Sequence, residues 1–197
     1  MARGRYAIWL CLPGMLWLPI GCTGRSTNRV GVRDPISAVR CNEEGLKLVK
    51  DGRYPEACEQ FRRALEADHY YGPAHSNLGV CLIEIGSFYE AGVELRYATQ
   101  LMPKAAQPRA NLGILYETVG RYDAAEEHLR AALRLEPEDI EIIGHLARIQ
   151  VDRDVRTDET LAWLQTIATQ DDQPAWRRWA NTEIRKQGFS SLSGVSP

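Results

Sequence analysis

The sequence predicts an all-α protein built from repeated helical hairpins, and two observations lead to that prediction. The first is a period of 34 residues, because the pattern of residues 72–105 returns in residues 106–139. Leu78-Gly79, Gly86, Phe88, Ala91, Leu95, Ala98 and Pro103 recur as Leu112-Gly113, Gly120, Tyr122, Ala125, Leu129, Ala132 and Pro137. The second is the spacing of apolar residues by three and four positions, which is typical of amphipathic helices. A fixed period of this length indicates units that bury their apolar faces against their neighbours.

Each unit is predicted to contain two helices joined by a tight turn. The apolar spacing predicts a first helix over residues 72–85, and Gly86 ends it because glycine accepts a left-handed backbone conformation. A second helix is predicted over residues 89–101, and Pro103 stops it because proline has no amide donor. Gly79 lies where the two helix axes must approach closely, so a larger side chain would overpack the crossing.

This 34-residue unit resembles the tetratricopeptide repeat, which shows Leu-Gly, an aromatic residue, alanines and a final proline in the same order. The resemblance is strongest in residues 72–105 and 106–139. It extends backwards over residues 38–71 and forwards over residues 140–173. The resemblance implies a right-handed α-solenoid that covers residues 38–173.

The fourth unit, residues 140–173, is predicted to be degenerate. It has Asp154 at the position of the turn glycine, and Glu159 and Thr166 at positions where the other units have alanine. A shift in the register of its second helix is left open by these departures. Terminal repeats of a solenoid are expected to be atypical because they cover the end of the stack.

A further helix is predicted over residues 174–187, after the last unit. Its single apolar face, which includes Trp176 and Trp179, is expected to cap the last hairpin. The alternative is that the two tryptophans form a docking face for another protein. Residues 188–197 are rich in serine and glycine and are predicted to be disordered.

The amino terminus resembles a bacterial lipoprotein signal peptide. Residues 1–21 contain a basic start and an apolar run that is too short for a comfortable membrane span. Gly21-Cys22 matches a lipobox, in which the cysteine becomes lipidated, while Pro19 stands where an aliphatic residue is usual. The alternative is an ordinary cleaved signal with an incidental cysteine. Residues 22–37 are predicted to form a flexible tether.

The resemblance to lipoproteins implies a location. The protein is expected to be exported and held by a lipid anchor on the periplasmic side of the cell envelope. In a cell with two membranes, the implied site is the outer membrane. Multiple acyl chains give stable anchoring, whereas a single chain gives marginal binding.

Charge and side-chain chemistry exclude several function classes. Residues 38–197 hold 19 Lys plus Arg against 25 Asp plus Glu, a net charge of −6, which argues against a nucleic-acid partner. The cysteines lack the paired spacing of a zinc site, and the four histidines share no helix face with a carboxylate at ligand spacing. We therefore predict no catalytic residues, no metal site and no cofactor. A disulfide between Cys58 and Cys81 is left open beside the alternative of two small buried thiols.

The remaining candidate site is a surface. In tetratricopeptide repeat proteins the first helix of each hairpin lines a concave groove that holds a peptide or a partner helix. Carried over unit by unit, the resemblance implies these groove residues: Asn42, Leu46, Val49, Ser76, Asn77, Val80, Ile83, Ala110, Asn111, Ile114 and Glu117. For any one of them, the alternative is packing between neighbouring helices. Asn77 and Asn111 are predicted to bond the backbone of a bound peptide, since amides offer both a donor and an acceptor.

One function known in this family does not fit the sequence. The carboxylate clamp, which binds acidic chaperone tails, needs lysine, asparagine and arginine at fixed groove positions. Asn77 is the single match, and Asn42, Leu46, Gln107 and Asn111 occupy the other positions.

The prediction for function is a non-catalytic protein-interaction module, a lipid-anchored adaptor, scaffold or assembly factor of the cell envelope. The alternative is a structural subunit of a stable envelope complex that uses its outer face or its tryptophan face. An enzyme is a third class, which the absence of a catalytic motif disfavours. The sequence does not identify the partner or the oligomeric state.

Overall fold

A computed structural model describes residues 33–186 of the chain. This part contains helices and no strands, which confirms the all-α prediction. The helices are α1 (Pro35–Lys50), α2 (Tyr54–Ala67), α3 (Gly72–Glu84), α4 (Phe88–Leu101), α5 (Gln107–Thr118), α6 (Tyr122–Leu133), α7 (Ile140–Asp152), α8 (Asp158–Gln170) and α9 (Pro174–Lys186). The predicted signal peptide, the predicted lipidation site and the predicted disordered tail lie outside the described residues. Within the described range, none of the helices combines the length and the apolar character needed to cross a bilayer.

Consecutive helices pair as hairpins that stack in order along the chain. Helices α1 and α2, α3 and α4, and α5 and α6 form the first three pairs, and each pair packs on the next. The first helices of successive hairpins also lie side by side, so that α1, α3, α5 and α7 form one layer. This layer positions the candidate site.

Close helix crossings explain the small residues of the repeat. A Cβ atom added to Gly79 would lie 2.5 Å from Leu95 Cγ, so no larger residue fits without displacement of its neighbour. The same close approach occurs one unit earlier at Gly45 and Phe61, and one unit later at Gly113 and Leu129. Phe61, Leu95 and Leu129 are fully buried.

The turns inside the hairpins also repeat. Gly52, Gly86 and Gly120 each adopt a positive φ, at 71°, 80° and 74°. The turn between α7 and α8 has Asp154 at the equivalent position, with a φ of 54°. The turn geometry is therefore kept in the fourth hairpin although the glycine is lost.

The second helix of the fourth hairpin is shifted by one residue relative to the repeat. The fully buried residues of α8 are Thr160, Leu164 and Ile167, each one position later than the 34-residue period places them. Five residues connect α7 to α8, whereas three connect the two helices of each earlier hairpin. Because of this longer connection, Glu159 and Thr166 do not occupy the alanine positions that the sequence assigned to them.

The predicted tether over residues 22–37 ends too late, and this boundary is corrected by the structure. Helix α1 begins at Pro35, where the Asp34 side chain accepts a hydrogen bond of 3.1 Å from the backbone amide of Ser37. Arg33 donates two hydrogen bonds to the Asp68 carboxylate, at 2.8 and 3.0 Å. Local capping and this ion pair extend the ordered start of the domain.

Helix α9 covers the last hairpin. Trp176 and Trp179 are half-buried, pack against the hydrophobic core of the last two hairpins, and meet edge to face with ring centroids 5.3 Å apart. A Cβ added to Gly144 of α7 would lie 3.4 Å from the Trp176 ring. This packing agrees with the capping role predicted for the helix.

Cys58 and Cys81 are both free and buried. The Cys81 thiol donates a hydrogen bond of 2.9 Å to the carbonyl oxygen of Tyr54. Burial, followed by a hydrogen bond with Cys58, raises the pKa of the Cys81 thiol. In this structure the two residues serve as small buried side chains between the first and second hairpins.

A candidate peptide-binding groove

The layer of first helices lines a concave groove with a volume of about 440 Å³. Its floor is aliphatic, because apolar residues on the concave face of these helices are not covered by another helix. The apolar lining residues on these helices are Leu46, Val49, Val80, Ile83 and Ile114, and the buried ring of Phe61 on α2 also borders the cavity. The polar lining residues are Asn77, Glu84, Gln107, Asn111, Glu141 and His145.

Seven of the eleven predicted groove residues line this groove: Leu46, Val49, Asn77, Val80, Ile83, Asn111 and Ile114. The other four, Asn42, Ser76, Ala110 and Glu117, do not line it and are buried between helices. These four occupy the helix side that faces the next hairpin, so the packing alternative applies to them. A binding role for the seven stays a prediction.

A ladder of amide side chains joins the first helices of the hairpins. Asn77 Nδ2 donates to Asn42 Oδ1 at 2.8 Å, and Asn111 Nδ2 donates to Ser76 Oγ at 3.1 Å. Gln107 Nε2 in turn donates to Asn111 Oδ1 at 3.2 Å. Both ends of the Asn111 amide are therefore engaged inside the protein, where they help to hold the helices in register. Its bond to a bound peptide stays a prediction.

Glu117 joins the third hairpin to the fourth. Its carboxylate accepts a hydrogen bond from Arg148 Nε at 2.6 Å and lies 2.7 Å from His145 Nδ1. Burial raises the pKa of Glu117, but the hydrogen bonds from His145 and Arg148 outweigh it, and the pKa is lowered overall. Glu117 is therefore an ionised structural residue in the joint between hairpins.

A second histidine–carboxylate pair lies inside the second hairpin. His75 Nδ1 donates to the Glu94 carboxylate at 2.6 Å, and His75 Nε2 donates to the carbonyl oxygen of His69 at 2.8 Å. Because a carboxylate and a carbonyl oxygen both accept hydrogen bonds, this site favours the protonated imidazole. Burial lowers the pKa of His75, but the bonds to Glu94 and to the carbonyl outweigh it, and the pKa is raised.

These pairs form between residues on different helices, so a comparison of residues along one helix face does not reveal them. They are pairwise contacts, and within residues 33–186 no group of three or more histidine, cysteine, aspartate or glutamate side chains is placed to hold a metal ion.

Five residues that line the groove are absent from the predicted set: Phe61, Glu84, Gln107, Glu141 and His145. A signal for two of them was present, because Glu141 lies 34 residues after Gln107 and His145 lies 34 residues after Asn111. The predicted groove residues all lie in the first three units, because the fourth unit is predicted to be degenerate. Its first helix nevertheless keeps the register of the repeat.

The fold and the groove together define a class, the all-α helical repeat solenoids. Two tetratricopeptide repeat family models match the sequence, one over residues 42–106 and the other over residues 106–149. Together they span residues 42–149, which is more than half of the chain. The chain belongs to the tetratricopeptide repeat family. No curated protein matches the sequence.

Solved structures with similar folds include domains that were determined with peptides. The first tetratricopeptide domain of Spaghetti (RPAP3), bound to the HSP90 peptide SRMEEVD, is 22% identical with a TM-score of 0.59, and the match covers 62% of this chain and 97% of that chain. The second such domain of the human RPAP3 protein, in complex with the HSP70 peptide SGPTIEEVD, is 23% identical with a TM-score of 0.55, covering 58% and 96%. MamA is 19% identical with a TM-score of 0.60, covering 79% and 83%. At these identities the likeness shows the fold.

Proposed function

We propose that this protein is a non-catalytic interaction module that binds a peptide or a helix of a partner protein in the concave groove. The observation that carries the proposal is the aliphatic floor. Val80, Ile83 and Ile114 are half-buried and Leu46 is 39% exposed, all within one cavity. Contiguous apolar surface on a soluble domain is typical of an interaction site, because covering it releases water.

Two similar structures support the proposal by analogy. The Spaghetti domain and the second domain of the human RPAP3 protein have this fold and are described with bound peptides. The repeat layer of this chain offers a cavity of a size that accommodates several side chains of such a segment.

The finer proposal is that the module is a lipid-anchored adaptor or assembly factor of the cell envelope. It rests on the sequence of residues 1–21 and on Cys22, which resemble a lipoprotein signal and its lipidation site. A test is the mass of the mature amino terminus, purified from membranes, for the wild type and for Cys22→Ser. An acylated cysteine at the first position, lost in the variant, is the expected result. An unmodified amino terminus in both proteins would disprove the anchor and leave the groove proposal standing.

The groove itself is tested with a phage-displayed library of random 12-residue peptides, selected on the immobilised full chain. Val80→Gln with Ile83→Gln removes aliphatic contact without a change of charge, and we expect it to abolish peptide enrichment. Tyr89→Gln is the matched control, because Tyr89 is 86% exposed on α4 and does not line the groove. Equal enrichment on the wild type and on the groove variant would refute the proposed function.

The alternative, a structural subunit that docks through Trp176 and Trp179, has less support. Both side chains pack against the core of the last two hairpins. The Arg148 guanidinium also lies 5.5 Å from the centre of the Trp176 ring and covers part of it. These contacts account for the tryptophans as capping residues.

A further inference from the structure

We infer that the groove selects a peptide with a lysine or arginine beside its aliphatic residues, an inference that rests on the proposed function. The first observation is the charge of the lining. Glu84 and Glu141 are exposed in the groove, and no lysine or arginine is among its lining residues in the described part of the chain. Neither carboxylate forms an ion pair with any residue of 33–186.

The acidic character increases towards α9. A second hollow of about 340 Å³ shares Glu141 and His145 with the groove, so the two cavities are neighbours. Asp171, Asp172 and Trp176 line this hollow. It therefore combines three carboxylates with an aromatic wall, which suits the aliphatic stem and the charged head of a lysine or arginine side chain.

The geometry of Asp171 fixes one of these carboxylates in place. Asp171 is 9% exposed, and its Oδ1 accepts a hydrogen bond of 2.7 Å from the backbone amide of Gln173. The turn before α9 thus holds the carboxylate at the rim of the hollow. Asp172, the next residue, is exposed beside it.

Arg148 on α7 is already engaged by other residues of the protein. Arg148 is bound to Glu117 and stacks on Trp176. Its charge is compensated by a carboxylate that lies outside the groove lining. A cationic side chain of a partner would therefore meet uncompensated negative potential along the groove from Glu84 to Asp172.

The same charge distribution disfavours the peptides bound by the two similar domains. Both of those peptides end in Glu-Glu-Val-Asp. In this groove such an end would place several carboxylates next to Glu84 and Glu141, without a lysine or arginine to bind them. We expect like-charge repulsion to exclude acidic tails and opposite-charge attraction to favour basic segments.

The test uses the peptide selection on the full chain, followed by fluorescence anisotropy. The most enriched peptide is synthesised with fluorescein, together with versions in which its basic residues are replaced by glutamate or by glutamine. We expect the glutamate version to bind at least tenfold more weakly. Glu84→Gln and Glu141→Gln should each weaken binding of the basic peptide about two- to fivefold, since each exposed ion pair contributes modestly. The loss should shrink in high salt.

Matched controls are Glu66→Gln and Glu127→Gln, which neutralise exposed glutamates on the outer helices α2 and α6. We expect both to bind like the wild type. Enriched peptides without basic residues, or equal affinity of the lysine and glutamate versions, would overturn the inference while the proposed function stands. If no peptide is enriched relative to the Val80→Gln/Ile83→Gln variant, the proposed function itself fails, and the inference fails with it.

Discussion

The first three hairpins and the fourth solve the same packing problem in different ways. In the first three, a glycine at the helix crossing lets a large buried side chain of the partner helix approach its backbone, as Gly79 and Leu95 do. In the fourth, the equivalent residue is Ala147, which is also fully buried. Helix α8 packs more extensively against α9 than against α7. The terminal unit thus replaces a tight two-helix crossing by a three-helix arrangement.

This difference indicates where the solenoid depends on the repeat pattern. Inside the stack, each hairpin packs against a neighbour on both faces. The glycine at the crossing lets its two helices lie close together, which keeps both faces available for this packing. At the end of the stack one face has no following hairpin. Helix α9 covers that face with Trp176, Trp179 and Ala180. The loss of the repeat residues is therefore tolerated where another element buries the same apolar surface.

The largest expected effect is that of a side chain added at a crossing. In Gly113→Ala, the new Cβ would lie 2.5 Å from Leu129 Cγ and 3.2 Å from the backbone oxygen of Ala125, so part of the obstacle is main chain. We expect a loss of about 1–3 kcal/mol in the free energy of unfolding, because the hairpin must open to make room. Urea unfolding followed by circular dichroism measures this loss.

Gly92→Ala is the control for that substitution. Its new Cβ would meet Leu115 Cδ2 at 3.4 Å, an ordinary contact, and alanine favours the helix by up to about 1 kcal/mol over glycine. We expect an unchanged or slightly raised stability. If Gly113→Ala and Gly92→Ala change the free energy of unfolding equally, the close helix crossing is not the reason that position 113 requires glycine.

The next effect tests the His75–Glu94 pair, with the buried His128 as the comparison. The pKa of His75 is raised in the folded state, despite burial, by its bonds to Glu94 and to the carbonyl of His69. Its contribution to stability is therefore complete below pH 6.5, the ordinary pKa of histidine, and is lost as the pH rises through the folded-state pKa. A single proton limits the slope to about 1.4 kcal/mol per pH unit. We expect the free energy of unfolding to fall with pH above 6.5.

The measurement is urea unfolding between pH 5.5 and about 8.5 for the wild type and for His75→Gln, since an unperturbed histidine titrates near 6.5. In the variant, the free energy of unfolding should no longer decrease above pH 6.5. His128→Gln is the comparison, because burial lowers the pKa of His128 and its effect has the opposite sign, a loss of stability as the pH falls. A wild-type slope that survives in His75→Gln would show that the doubly bonded imidazole is not its source.

The regular part of the fold could be predicted from the sequence because its constraints are local or strictly periodic. Turn glycines such as Gly86 and crossing glycines such as Gly79 appear at fixed positions, and the structure gives each the predicted role. The size of the register shift in α8 could not be predicted, because it depends on two extra residues in the connection between α7 and α8, and no glycine in that connection marks the turn. Burial of Thr160 in place of Glu159 follows from that connection.

The candidate site was predictable in part for a similar reason. The 34-residue period places Leu46, Val80 and Ile114 in equivalent positions, and the structure gathers them in one cavity. The roles of Asn42 and Glu117 were not predictable from periodicity, because they depend on which neighbour each side chain reaches across the helix interface. Contacts between different helices need the packing itself.

The smallest expected effect tests whether the fourth turn can be returned to the pattern of the first three. Asp154 holds a φ of 54°, a conformation that costs an ordinary residue about 1–2 kcal/mol and aspartate somewhat less. Asp154→Gly removes this strain at the cost of a more flexible unfolded chain, so we expect a net gain of about 0.5 kcal/mol in the free energy of unfolding. The lost ion pair with Arg156 is exposed and contributes little.

Two variants make this last comparison decisive. Asp154→Asn removes the charge but keeps a residue that tolerates a positive φ, so it isolates the ion pair with Arg156. Gly120→Ala makes the reverse change in the third turn, where no atom lies within 4 Å of the added Cβ, and its expected loss of about 1 kcal/mol is therefore conformational. If Asp154→Gly and Gly120→Ala both destabilise the protein, backbone strain at Asp154 does not distinguish the fourth turn from the first three. The terminal hairpin would then depend on the aspartate for a reason other than backbone geometry.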